Sequence, residues 1–248
     1  MRRRNPLFDL DLGISIPDTV TIDLMHTFHL GILNAFCKHI IWEMLLAGLW
    51  SRQPTQEECV EVNILIVAMQ WKKWAKDHQR TLAPSGIKMS TFRISKKTFG
   101  DVADKKLALK AAQCWWFFLF LLDVLSQKAA LVPGGEAMLA AGQEMKGLLD
   151  TLRASPAVPA RPAVQKVWDH WIGFVSLVDS YLQLPKRHLA MHLFNKMTWF
   201  GNPTAYANWV DESLNRKLKL CCRNISQKTF ESVVLQQMRY LLRPIRNQ

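Results

Sequence analysis

Residues 114–122 read Cys-Trp-Trp-Phe-Phe-Leu-Phe-Leu-Leu, an uninterrupted run of apolar side chains. Charged residues bound it, with Lys110 before it and Asp123 and Lys128 after it. The run is shorter than the roughly 18–20 apolar residues that a membrane span needs. A helix that is apolar on all sides has to be covered by other helices. The run therefore predicts a buried central helix, over about 104–131, in a mainly α protein.

Helical signals continue on both sides of this run. Apolar residues recur at helical spacing from Leu24 to about Trp50 and again over Val164–Leu184. A Thr55 cap followed by Glu58 predicts another helix start, and that helix reaches about His78. Weaker patterns predict helices ending near Arg153 and Phe200, and two more over about 211–223 and 226–243.

Two segments break the helical pattern. Residues 19–23, Thr-Val-Thr-Ile-Asp, are short and mostly β-branched, which favours a buried strand. Residues 155–162 contain three prolines and predict a stiff linker.

Positive charge is concentrated near the end of the chain. The chain carries a net charge of +12, with a pI near 9.7. From Lys186 onward there are eleven lysines and arginines against three acids, which leaves +8. Clustered positive charge favours a polyanionic partner, nucleic acid before membrane, although a solvated basic face would look the same. The residues expected to contact a DNA backbone are Lys186, Arg187, Arg216, Lys217, Lys219 and Arg223.

The cysteines and the first residues bear on location. Five cysteines without framework spacing indicate reduced thiols and an intracellular, soluble protein. Arginines 2–4 are not followed by an apolar segment, so a secretory signal is not expected.

Two histidine pairs raise the question of a transition metal. His26 with His29, and His188 with His192, have spacings that place two rings on one helical face. Neither pair has the cysteines or carboxylates that complete a zinc signature. Structural or capping roles are therefore favoured for these histidines.

Acidic residues suggest a different metal. Asp23 ends the predicted strand, and His26 follows on the first helical turn. Asp211 and Glu212 stand at a predicted helix start, where the helix dipole alone favours acids. The functional alternative joins Asp23 to one of these two acids around Mg²⁺, which activates water for phosphodiester cleavage.

Two blocks of the sequence resemble DDE/D-type cut-and-paste transposases, especially CACTA (En/Spm)-like elements. Residues 19–33, TVTIDLMHTFHLGIL, resemble the second-aspartate region, with its D-x-x-H signature and an apolar helix carrying Leu-Gly. Residues 184–236 resemble the final region, and the matching motifs are Pro185-Lys-Arg-His188, Phe200-Gly-Asn-Pro203 and Asp211-Glu212 with Lys219.

The resemblance implies an RNase H-like core interrupted by a helical insertion. Residues 1–34 would be a partial core around the strand near 19–23, residues 35–184 the insertion, and residues 185–248 a basic helical part of the core. Asp23 and Glu212 would hold Mg²⁺ or Mn²⁺, with Asp211 as the fallback acid and His26 as the signature partner. DNA would be the partner, the nucleus the location, and no membrane would be involved.

The family's first catalytic aspartate has no counterpart in this sequence. Only 22 residues precede Asp23, and Asp9, Asp11 and Asp18 are too close to it to take that role. We therefore expect a transposase-like fragment that does not cut DNA alone. Two alternatives stay open: a helical module that binds nucleic acid or assembles without chemistry, and a structural protein whose Trp-rich helices drive homo-oligomer formation.

Overall fold

The computed structural model describes residues 21–83, 89, 92–104 and 106–207, and this part is mainly helical, without a strand. The mainly α class predicted from the sequence is confirmed. Helix α1 is π-helical over Met25–Ile32 and α-helical over Leu33–Leu46. The elements that follow are α2 (Gln56–Leu82), α3 (Lys96–Phe99), α4 (Ala111–Lys128), α5 (Gly135–Ala154), α6 (Arg161–Val178), α7 (Pro185–Asn195) and α8 (Met197–Phe200), with 3₁₀ turns at Ala129–Leu131 and Pro203–Ala205.

The described part of the predicted strand at 19–23 is not a strand. Residues 21–23 are irregular, and residues 19 and 20 lie outside the described ranges. The physical reason is that a strand needs a neighbouring strand to complete its hydrogen bonds, and the described residues contain none. The helices predicted over 211–223 and 226–243 also lie outside the described ranges.

Residues up to Tyr206 form one compact unit, and a second unit begins at Ala207.

Helix α4 lies in the core, as its sequence predicts. Among residues 115–120, every side chain except that of Leu119 is buried, and α4 packs against α1, α2 and α5. Within the described part of the chain, Ala111–Leu131 is long and apolar enough to cross a membrane, and a core helix passes the same test. The helix is shorter than predicted at its start because Lys110 is extended and caps it.

Aromatic rings join α1 to α6 and α7. Phe28 is fully buried and packs edge-on against Trp171 at 5.7 Å between ring centroids. Phe194 of α7 lies 5.4 Å from the same Phe28 ring. Further along α1, Phe36 meets Phe174 at 5.3 Å in a T-shaped contact. Aromatic pairs in this geometry contribute about 0.5–1.5 kcal/mol beyond the area they bury.

A second aromatic cluster lies around Trp71 of α2. Its ring packs against Phe117 and Phe120 of α4 at 6.0 and 5.7 Å. Its indole N–H donates to the carbonyl of Phe92 at 3.0 Å, which satisfies the buried polar atom. This cluster fixes α2 and the connection before α3 onto the central helix.

The predicted linker is a short, anchored connection. Residues 155–160 join α5 to α6, which pack along each other, and α6 begins at Arg161 with Pro162 in its first turn. The Asn202 amide donates to the carbonyls of Leu152 and Ser155 at 2.7 and 2.9 Å. The two helices therefore belong to one body, and the prolines stiffen a turn between them.

We expect Phe28→Ala to lower the free energy of unfolding by about 3–5 kcal/mol, because it empties a fully buried ring position that three helices share. Urea denaturation monitored by far-UV circular dichroism measures this. Leu65→Ala is the control, because Leu65 of α2 is 66% exposed and its loss should change stability by about 0.5 kcal/mol or less. Equal effects of the two substitutions would contradict the aromatic packing described here.

Candidate functional site

Asp23 caps the start of α1. Its Oδ2 atom accepts a hydrogen bond from the backbone N–H of His26 at 2.8 Å and lies 2.5 Å from Nδ1 of the His26 ring. The backbone carbonyl of Asp23 accepts from Thr27 at 3.1 Å. A carboxylate at this position satisfies a backbone donor and favours the helix dipole, a role whose removal costs about 1 kcal/mol. The D-x-x-H spacing therefore has a structural explanation in this chain.

The first part of α1 is wound more widely than an α-helix. The N–H of Leu33 bonds to the carbonyl of Phe28, five residues earlier. Such π-helical turns are rare in proteins, and those that do occur are often found at functional sites. This one covers Met25–Ile32, which includes His26 of the D-x-x-H signature and Gly31. The segment that resembles the family signature is thus also the segment with unusual backbone geometry.

Lys186 of α7 contacts the first part of α1. Its Nζ atom donates to the backbone carbonyl of His26, 160 residues earlier in the chain. Its aliphatic stem passes over Gly31, where a Cβ atom would overlap the Lys186 side chain. Burial lowers the pKa of Lys186, the charge of Lys106 lowers it further, and Asp23 opposes both. We call Asp23, His26, Lys106 and Lys186 the Asp23 cluster.

Asn34 holds the backbone next to Lys106, a member of the Asp23 cluster. Its side-chain amide donates to the carbonyl of Leu107 at 3.1 Å and accepts from the N–H of Leu107 at 2.7 Å. Asn34 is buried, so both bonds are made away from water. Neither Lys106 nor Asn34 was predicted from the sequence. A polar amide inside the apolar pattern of 24–50 was the available signal.

Arg187 is committed to a structural ion pair. Its guanidinium donates to Oδ1 of Asp179 at 2.8 Å and to the carbonyl of Leu182 at 3.2 Å. Its side chain is only 17% exposed. These bonds tie the start of α7 to the end of α6. Of the two basic residues predicted at this position, Lys186 joins the Asp23 cluster and Arg187 holds the helix in place.

Only Asp23 of the predicted carboxylate site lies within the described residues. Asp211 and Glu212 lie outside the described residues, as do Arg216, Lys217, Lys219 and Arg223. Within 21–83, 89, 92–104 and 106–207, no group of three or more His, Cys, Asp or Glu residues is arranged to hold a metal ion. The Mg²⁺ or Mn²⁺ site formed by Asp23 and Glu212 therefore stays a prediction.

His29 is a core residue of α1 and differs from His26 one turn earlier. It is 3% exposed and its ring lies 6.5 Å from that of Trp115. The Arg153 guanidinium also lies over the Trp115 ring, 3.7 Å from its centroid. Burial, reinforced by the charge of Arg153, lowers the pKa of His29 to about 3, against a smaller opposing effect of Asp23. His29 is thus neutral in the folded protein, which agrees with the structural role predicted for it.

We expect His29 to make folding less favourable in acid. Between the folded pKa of about 3 and the unfolded value of about 6.5, the unfolded chain holds one more proton than the folded protein. The free energy of unfolding therefore falls as the pH drops below 6.5, by about 1.4 kcal/mol per pH unit from this group.

Urea denaturation of the wild type and a His29→Asn variant between pH 7.5 and 4.5 measures this effect. The variant should lose stability less steeply with acidification, because asparagine does not titrate. Other groups contribute equally to both proteins, so the difference between the two slopes isolates His29. Parallel curves would contradict the burial of a neutral imidazole.

Comparisons of this chain with models of protein families, with curated proteins and with solved structures find no match.

Proposed function

We propose that this chain is a transposase-like DNA-binding fragment that carries the second aspartate and the last acid of a DDE/D carboxylate set. In this proposal, Asp23 and Glu212 hold Mg²⁺ or Mn²⁺, and the basic residues from Lys186 onward hold the DNA backbone. The helices between the two blocks would correspond to the helical insertion of the family. The chain alone binds DNA and does not cut it, because the first aspartate of the carboxylate set has no counterpart in this sequence at the family's spacing.

The observation that carries the proposal is the hydrogen bond from Lys186 to the carbonyl of His26. The two blocks that resemble the family lie far apart in the sequence, separated by α2 to α6, and yet α7 packs on the π-helical turn. A lysine beside a carboxylate at a helix start is a suitable place for a phosphate backbone to meet a divalent cation. The excess of positive charge after Lys186 supports the same partner.

Titration of Mn²⁺ into the full chain tests the carboxylate set. We expect binding by the wild type and loss of binding in both Asp23→Asn and Glu212→Gln. Asparagine also caps helices, so Asp23→Asn removes the charge with little change in stability. The matched control is Glu136→Gln, which neutralises an exposed acid in the first turn of α5. Binding that is absent in the wild type, or unchanged by both substitutions, would contradict the assembled carboxylate site.

A second candidate function is a helical nucleic-acid-binding module without chemistry. The observation in its favour is that Asp23 already caps α1, because its carboxylate bonds to the backbone N–H and the ring of His26. The other charged members of the Asp23 cluster, Lys106 and Lys186, are cationic side chains, which suit an anionic partner. This candidate keeps the DNA-binding role of the basic region and assigns no metal to Asp23.

The dependence of DNA affinity on salt tests the role shared by both candidates. We expect that replacing Arg216, Lys217 and Lys219 with glutamine weakens binding to a duplex and makes the slope of log K against log salt less negative. The slope should change by about 0.9 for each phosphate that the variant no longer neutralises. Fluorescence anisotropy over a series of salt concentrations measures both quantities.

The control is the triple glutamine variant of Lys72, Lys73 and Lys76, three exposed lysines on α2. It removes the same net charge from α2 and should leave the slope close to that of the wild type. Equal slopes for the wild type and both triple variants would contradict the proposal that Arg216, Lys217 and Lys219 contact the DNA backbone.

A further inference from the structure

Helix α7 presents two histidines one turn apart on its exposed face. The Nε2 atoms of His188 and His192 are 2.8 Å apart, and their rings stand at 90° with centroids 4.4 Å apart. Both residues are exposed. Two neutral imidazoles hold this geometry when one ring donates an Nε2 hydrogen to the other. The two nitrogens are therefore already close enough to share one ligand.

The backbone beneath this pair is held on three sides. Ala190, Leu193 and Phe194 bury the opposite face of α7 in the core. Lys186 and Arg187 fix the first turn through the carbonyl of His26 and the carboxylate of Asp179. Positions 188 and 192 are thus presented at the spacing of a helix turn by an element that cannot rotate freely. Such preorganisation reduces the cost of binding a ligand.

The separation of the two nitrogens matches that of a chelate. Metal–nitrogen bonds of about 2.0–2.1 Å place two ligands about 2.9 Å apart at a right angle and about 3.3 Å apart at a tetrahedral angle. The observed 2.8 Å needs only a small ring adjustment to reach the first value. In the chelating form each ring carries its hydrogen on Nδ1, and both Nε2 lone pairs face the metal.

We propose that His188 and His192 bind a borderline divalent cation such as Ni²⁺ or Zn²⁺, with water completing the coordination. Imidazole nitrogen favours these ions over Mg²⁺ and Mn²⁺, which prefer oxygen ligands. This site is independent of the carboxylate set proposed above. It lies beside the groove between α6 and α7 that Trp168, Ile172 and Met191 line, and His188 borders that groove.

Titration of Ni²⁺ into the full chain by calorimetry tests the site. Cys221 and Cys222 are adjacent thiols elsewhere in the sequence, so a Cys221→Ser, Cys222→Ser background removes them as competing ligands. In this background we expect one Ni²⁺ bound per chain. His188→Gln and His192→Gln should each weaken Ni²⁺ binding about tenfold or more. Even the loss of a side chain that only hydrogen-bonds to a metal ligand lowers metal affinity by about that factor. Mg²⁺ should not compete.

A matched variant separates chelation from the mere presence of histidines. His192→Gln combined with Asn195→His keeps the number of histidines and the same exposed helix, but places the two rings seven residues apart, about 10.5 Å along the axis. We expect this double variant to bind no better than His192→Gln alone. Circular dichroism of each variant verifies that the helices are retained.

Three results would overturn the proposal: no Ni²⁺ binding in the background without Cys221 and Cys222, unchanged affinity in both glutamine variants, or full affinity in the double variant with Asn195→His. Failure of the Mn²⁺ experiment at Asp23 and Glu212 leaves this test unaffected, because the two sites share no residue.

Discussion

The fold depends on the packing of α1 against four other helices, α2, α4, α6 and α7. Phe28 and Phe36 are fully buried in this helix, as are Cys37, Ile40, Ile41 and Met44. The two rings meet α6 and α7 through Trp171, Phe174 and Phe194. Because α1 is covered on several sides, His26 is the only exposed residue among residues 24–30. The start of α1 therefore reaches solvent at the Asp23 cluster.

Polar groups inside this apolar packing act as positional anchors. Lys38 is buried, and its ammonium donates to the carbonyls of Phe99 and Asp101. Burial lowers the pKa of Lys38, and Asp104 and Asp101 oppose that shift. Together with the two bonds of Asn34 to Leu107, these contacts fix the irregular segment between α3 and α4 along α1. An irregular segment held in this way can present a lysine at a constant position beside a helix start.

The sequence was informative about buried helices and less so about what surrounds their ends. The run at 114–122 predicted the central helix because an element apolar on every side has one physical solution, burial. The end of α2 was placed near His78, and the helix continues to Leu82, since exposed polar residues carry no periodicity signal there. The strand at 19–23 was inferred from β-branched residues, whose preference depends on a neighbouring strand. Asp23 and Lys186 could be selected from motifs, whereas Lys106 and the Arg187–Asp179 pair depend on tertiary contacts that no local pattern encodes.

The absence of a side chain at Gly31 has a consequence for related sequences. The aliphatic stem of Lys186 lies where a Cβ atom at position 31 would be, so a side chain at position 31 would overlap that stem. A larger residue at 31 is compatible with this packing only when position 186 carries a shorter or redirected side chain, and the hydrogen bond to the carbonyl of His26 then disappears. In any set of homologous chains, these two positions should therefore covary: a long basic residue at 186 should accompany glycine at 31, and the loss of one should predict the loss of the other.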